Sequence, residues 1–80
     1  MVQPKNTEDV AALLKKELYD AILNIIEKRH YKQRDLEKLL DQPQPRISEL
    51  LHGKIDKVSI EKLCRYVQCL GGDARIKVYF

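Results

Sequence analysis

The chain has 80 residues and carries 15 Lys+Arg against 12 Asp+Glu, a formal net charge of +3, with 44% hydrophobic and 34% charged residues. That length holds one domain whose core is too small to enclose a large cofactor, and the composition is that of a folded domain, not a disordered chain. No apolar run approaches the ~20 residues that cross a bilayer, and the polar stretch Met1–Asp9 lacks the apolar segment of a signal peptide, so a cytoplasmic location with no membrane partner is expected.

Residues 1–6 read as a flexible lead-in. Thr7 is placed to cap a first helix, and Glu8 and Asp9 in its first turn suit the helix dipole. Val10, Leu14, Leu18, Ala21, Ile22, Ile25 and Ile26 then recur at spacings of three and four, which predicts one apolar stripe on a long helix ending near Arg29. His30, Tyr31 and Lys32 form a short connection. Gln33–Leu40 reads as a second helix with Leu36, Leu39 and Leu40 apolar, ended by Asp41, Gln42 and Pro43. Pro43 and Pro45 suit the start of a third helix, where a missing N–H costs little. That helix runs through Arg46, Ile47, Ser48, Glu49, Leu50 and Leu51, with Gly53 as its C′ residue.

After the loop Lys54–Val58, Ser59 is placed to cap a fourth helix with Ile60, Leu63, Cys64, Val67 and Leu70 on its apolar face, stopped by Gly71 and Gly72. Cys64 and Cys69, five apart, lie ~140° from each other around the helix axis and cannot easily bridge. With no Cys-x-x-Cys or His/Cys cluster, no metal site is expected. The tail changes period. Ala74, Ile76, Val78 and Phe80 alternate with Arg75, Lys77 and Tyr79, the pattern of a strand. A lone strand leaves its backbone groups unpaired. Pairing with the same strand of a second copy, through Ala74, Arg75, Ile76, Lys77, Val78 and Tyr79, would make a two-fold dimer. The alternative is a tail that packs on the helices or frays.

The segment with chemical content is 33–52. Two short helices separated by a few residues, with Leu36, Leu40, Ile47 and Leu50 placed to face one core, cross steeply as in a helix-turn-helix. In that arrangement the start of the second helix enters the DNA major groove. Gln44, Arg46, Ser48 and Glu49 stand there. Gln reads adenine, Arg reads guanine, and Ser bonds a base or a phosphate. Gln33 opens the preceding helix, where a phosphate is favoured. His52 sits at a helix C-terminus, which favours partial positive charge, and is a further candidate phosphate contact.

The block from Gln44 to Leu63 reads Gln-Pro-Arg-Ile-Ser-Glu-Leu-Leu-His-Gly-Lys-Ile-Asp-Lys-Val-Ser-Ile-Glu-Lys-Leu. It resembles the small Xre-type helix-turn-helix proteins that serve as HigA-like antitoxins and related repressors. In that family a Gln-Pro-Arg-Val-Ser-type recognition helix leads to Leu-Leu-x-Gly-Lys and then to a Ser-Leu-x-x-Leu helix. Leu70-Gly71 and Arg75–Tyr79 match the turn and C-terminal strand that follow. The likeness runs from about Leu14 to Val78 and is most specific over Gln44–Ser59. The family has a small residue where Glu37 stands, a Gly at Asp41 and a Ser cap at Pro43. Asp tolerates a left-handed turn better than most residues, whereas Pro offers no capping oxygen.

The resemblance implies a mainly α fold, with four to five helices, a lambda-repressor-like helix-turn-helix and one C-terminal strand, forming a single domain over 1–80. It implies operator DNA, a second copy of the chain and a small ribonuclease toxin as partners, with no cofactor. Charge distribution agrees with the DNA reading. Residues 1–27 hold three basic and five acidic groups, whereas 28–66 hold ten basic and six acidic. Lys32, Arg34, Lys54 and Lys57 bracket the third helix in reach of phosphates. An ordinary charged surface would look similar without the motif. Neither His30 nor His52 has a nucleophile-base-acid pattern around it, so no catalysis is expected. Tyr19, Tyr31 and Tyr66 are too scattered to make a stacking platform for single strands. A stand-alone phage or plasmid-type regulator, or a protein-interaction module without DNA binding, are the competing readings.

Overall fold

The computed structural model describes residues 7–72, with side chains described from Val10 onward. Four helices follow in order: α1 Thr7–Arg29, α2 Gln33–Leu40, α3 Gln44–Leu51 and α4 Ile60–Cys69. The expected lead-in, the Thr7 side-chain cap and the strand over 74–80, with its dimer contact, lie outside this description.

The helices arrange as two pairs. α1 packs chiefly on α4 and α2 on α3, with a smaller contact joining α2 to α4. One apolar cluster unites them: Ile22 from α1, Leu36 and Leu40 from α2, Ile47 and Leu50 from α3, and Leu63, Tyr66, Val67 and Leu70 from α4 and its end. Leu18, Tyr19, Ile25 and Ile26 of α1 pack against it, partly buried. Among the described residues, the predicted α1 stripe packs on this cluster from Leu18 onward, and Leu14 before it is half-buried. Val10, at its upstream end, is 42% exposed because the first turns of α1 project past the other helices' apolar cluster. Leu39 is similarly 40% exposed, because Leu36 and Leu40 define the inward side of α2 and Leu39 lies off it. Tyr66, read from sequence as one of several scattered tyrosines, is a core residue with 4% exposure.

Each helix end shows its local cause. Ser59 Oγ accepts from Lys62 N at 3.1 Å and caps α4. The backbone N–H of Lys32 donates to Asp35 Oδ2 at 2.8 Å, which closes the start of α2. Gly53 follows α3 with φ +79°, a conformation that costs L-residues but not glycine. Two long-range bonds tie α1 to the α3 end of the molecule. Tyr19 donates its hydroxyl to Leu50 O at 2.6 Å, and Lys15 Nζ donates to Asp56 O at 2.9 Å. Burial pushes the Tyr19 hydroxyl above the usual phenol range, aided by the nearby Asp20 carboxylate and opposed by a bond from the Gly53 backbone.

Gly72 closes the described chain. Its N–H donates to Val67 O at 2.9 Å. A Cβ there would lie 2.6 Å from Ile25 Cδ1 and 2.8 Å from Val67 Cγ1, so α1 and α4 pinch the backbone between them. Two substitutions separate cavity from crowding. Ile47→Ala should lower unfolding free energy by ~2–5 kcal/mol, and Gly72→Ala by ~1–3 kcal/mol. Both are read from urea denaturation followed by circular dichroism. A loss below ~1 kcal/mol at Ile47 would contradict its place in the core.

Candidate nucleic-acid interface

The α2–α3 unit is built by its turn. Asp41 adopts the left-handed conformation, φ 52° and ψ 51°, at the position where the resembled family carries Gly. The Gln42 N–H then reaches back to Glu37 O at 3.1 Å, closing α2 as a left-handed helix end does. Pro43 is extended, φ −71° and ψ 160°, and starts α3 without a side-chain cap. Its carbonyl accepts from Arg46 N at 3.0 Å and Ile47 N at 3.1 Å. Pro45, in the first turn of α3, lacks an N–H where none has an intrahelical partner. Three residues thus join two helices of eight residues each.

Burial decides which face of α3 is presented. Ile47 is 0% exposed and Leu50 is buried with it, so both point into the core. Gln44, Pro45, Arg46 and Glu49 are exposed, and Ser48 is half-buried at the edge of that face. Of the other residues singled out in the sequence, Arg34, His52, Lys54 and Lys57 are exposed and Gln33 is half-buried.

Seven of these residues gather in two places, whereas Ser48 and His52 line neither. Gln33, Arg34 and Gln44 line one open depression with Lys32, Asp35 and Glu37, which brings the start of α2 against the start of α3. Arg46, Glu49, Lys54 and Lys57 line a narrower cleft of about 60 Å³, together with Ile47, Leu50, Val58 and Tyr66. Both places mix basic groups with carboxylates.

The end of α3 is held firmly. Lys54 N donates to Glu49 O at 2.9 Å and Gly53 N to Leu50 O at 3.1 Å, which fixes where the basic loop leaves the helix. His52 turns its ring back on its own helix, with Nδ1 at 2.7 Å from Ser48 O. The Ser48 carbonyl can only accept, so Nδ1 carries the proton. Nε2 then donates to a phosphate only when the ring is charged. His52 is thereby a conditional contact, unlike Lys54 and Lys57.

Sequence reasoning missed Tyr66 at this site. Its spacing, three after Leu63 and four before Leu70, places it on the buried face of α4 and was the available signal. Burial pushes its hydroxyl above the usual phenol range, while the Arg46 guanidinium acts in the opposite direction and the neighbouring Cys69 adds to the rise. Cys64 and Cys69 on the same helix are both free thiols. Among the described residues, no His, Cys, Asp and Glu cluster has the makings of a metal site, and no helix is long and apolar enough to cross a membrane.

Comparison with known proteins agrees with this geometry. Curated proteins yield no match. A solved structure, of a protein whose description assigns it to the XRE family of transcriptional regulators, superposes with a TM-score of 0.80. It is 24% identical, with 88% of this chain and 79% of the other covered, a likeness of fold. The family described as "Helix-turn-helix domain" matches residues 2–79, nearly the whole chain. With its packed α2–α3 pair, its left-handed turn at Asp41 and that match, this chain belongs to the helix-turn-helix domain family.

Proposed function

We propose that this protein is a dimeric, sequence-specific repressor that binds double-stranded operator DNA through α3. The observation that carries the reading is the division of α3 into two faces. Ile47 and Leu50 are buried, so Gln44, Arg46 and Glu49 stand outward from a rigidly seated helix. In this reading Gln44 and Arg46 contact base edges in the major groove, Glu49 accepts from cytosine, and Ser48 bonds a base or phosphate at the rim. Gln33, Arg34, Lys54 and Lys57 hold the backbone phosphates, joined by His52 in its charged form. Two copies, paired through 74–80, would set their α3 helices in successive major grooves ~34–36 Å apart.

The finer reading is an antitoxin that represses its own operon and neutralises a small ribonuclease toxin. α1 supplies the support for it. Leu13, Glu17, Asp20, Asn24 and Glu27 are all exposed, and their spacing puts them within ~80° of one another on the helix. An acidic stripe that starts at an exposed leucine suits a basic partner, and an RNA-cleaving protein presents basic surface to its substrate. Co-purification with the product of the adjacent reading frame tests this directly. A chain that purifies alone while still binding its upstream DNA is a stand-alone regulator.

The DNA reading is tested by two substitutions of different kind. Arg46→Ala should weaken binding to the preferred duplex by ~1–3 kcal/mol and relax sequence choice. Lys54→Ala should weaken all duplexes alike and reduce the salt slope by about 1. Fluorescence anisotropy against salt concentration measures both, and binding to no duplex at low salt would leave the interaction-module reading in its place. Dimerisation is tested by ending the chain after Gly72. Sedimentation should give twice the 9.4 kDa chain mass for the full protein and one copy of its own smaller chain mass for the shortened one.

A further inference from the structure

We propose that Tyr66 is a positioning residue for Arg46, its hydroxyl holding the guanidinium in the orientation that reads a base through one water in the cleft between α3 and α4. The inference rests on the DNA reading above and names a residue of α4, outside the helix-turn-helix itself, as a determinant of its specificity.

Three observations support it. Arg46 and Tyr66 line the same small cleft, Tyr66 from the core side and Arg46 from the exposed face of α3. The cleft, about 60 Å³, has room for a few water molecules and little else. Burial pushes the Tyr66 hydroxyl up, and the Arg46 guanidinium acts against that rise, as a cation beside a phenol does. The chemistry is complementary as well. A guanidinium has five N–H donors and no acceptor, whereas a phenol oxygen accepts while its own proton points elsewhere.

The need for such a partner is physical. A free arginine carries ~2 kcal/mol of rotamer freedom that must be given up to form a bidentate contact with guanine. A buried tyrosine, fixed by the core, restrains the guanidinium before DNA arrives. Glu49 and the two lysines in the cleft act differently. They sit on exposed positions and share none of Tyr66's rigidity.

The test uses the full chain and Tyr66→Phe, which keeps the ring in the core and removes only the hydroxyl. The probes are the best duplex selected from a random pool and a shuffled duplex of the same length. Tyr66→Phe should weaken the selected duplex by roughly three- to tenfold and leave the shuffled duplex and the salt slope unchanged. In an Arg46→Ala background it should have no further effect, because the two residues act as one unit. In the protein without DNA, ¹⁵N relaxation of Arg46 Nε should show a restrained side chain that loosens in Tyr66→Phe. An equal loss on both duplexes, an effect that persists in Arg46→Ala, or unchanged Arg46 relaxation would overturn the positioning role. Failure of the parent reading looks different. The wild-type protein would then not discriminate the selected duplex from the shuffled one, whatever the state of Arg46.

Discussion

Two side chains on α3, Ile47 and Leu50, set what the rest of the molecule can present. An isolated helix of eight residues does not hold together in water, because its few hydrogen bonds do not offset the cost of nucleation. α3 is therefore helical, and fixed in rotation, through what it buries. Ile47 and Leu50 sit three apart on one side and enter the same cluster as Leu36, Leu40 and Leu63. Any rotation of α3 about its axis would expose one and swing Arg46 or Glu49 toward the apolar interior, where a charge is costly. Specific chemistry on the outer face is thus a by-product of ordinary packing on the inner one.

The bonds at the two ends of α3 follow from that seating. Pro43 removes the usual capping oxygen, yet its carbonyl takes two backbone donors, and Pro45 removes one N–H that had no partner in prospect. At the other end Tyr19 of α1, 31 residues upstream of its acceptor, donates to Leu50 O. The recognition unit is consequently tied to α1 as well as to α2.

Much of this was legible in the sequence, and for particular reasons. The limits of α2 and α3 follow from Asp41, Pro43 and Gly53, residues whose backbone preferences are strong enough to act alone. Ser59 was legible as a cap for the same reason. The core of the helix-turn-helix was legible because leucine and isoleucine spacing on short helices leaves only one side to bury. What escaped depended on tertiary context. Val10 continues the α1 period but lies beyond the cluster that α2, α3 and α4 form, so periodicity overextended the packing face. Tyr66 was hidden by its chemistry, since a phenol reads as readily as a surface group as a core one. The ring of His52 turning onto Ser48 O depends on a rotamer that sequence does not encode. The outward face of α3, including Arg46 and Gln44, is legible from the motif, and burial of Ile47 and Leu50 is its physical cause.

Gly72 bears on how closely α1 can approach α4. Its N–H bonds Val67 O, and Ile25 and Val67 close on its Cα. A side chain at residue 72 would push those two aliphatic groups apart. The spacing of the long first helix from the last one is therefore set by the smallest residue available, at a position that lies outside every helix.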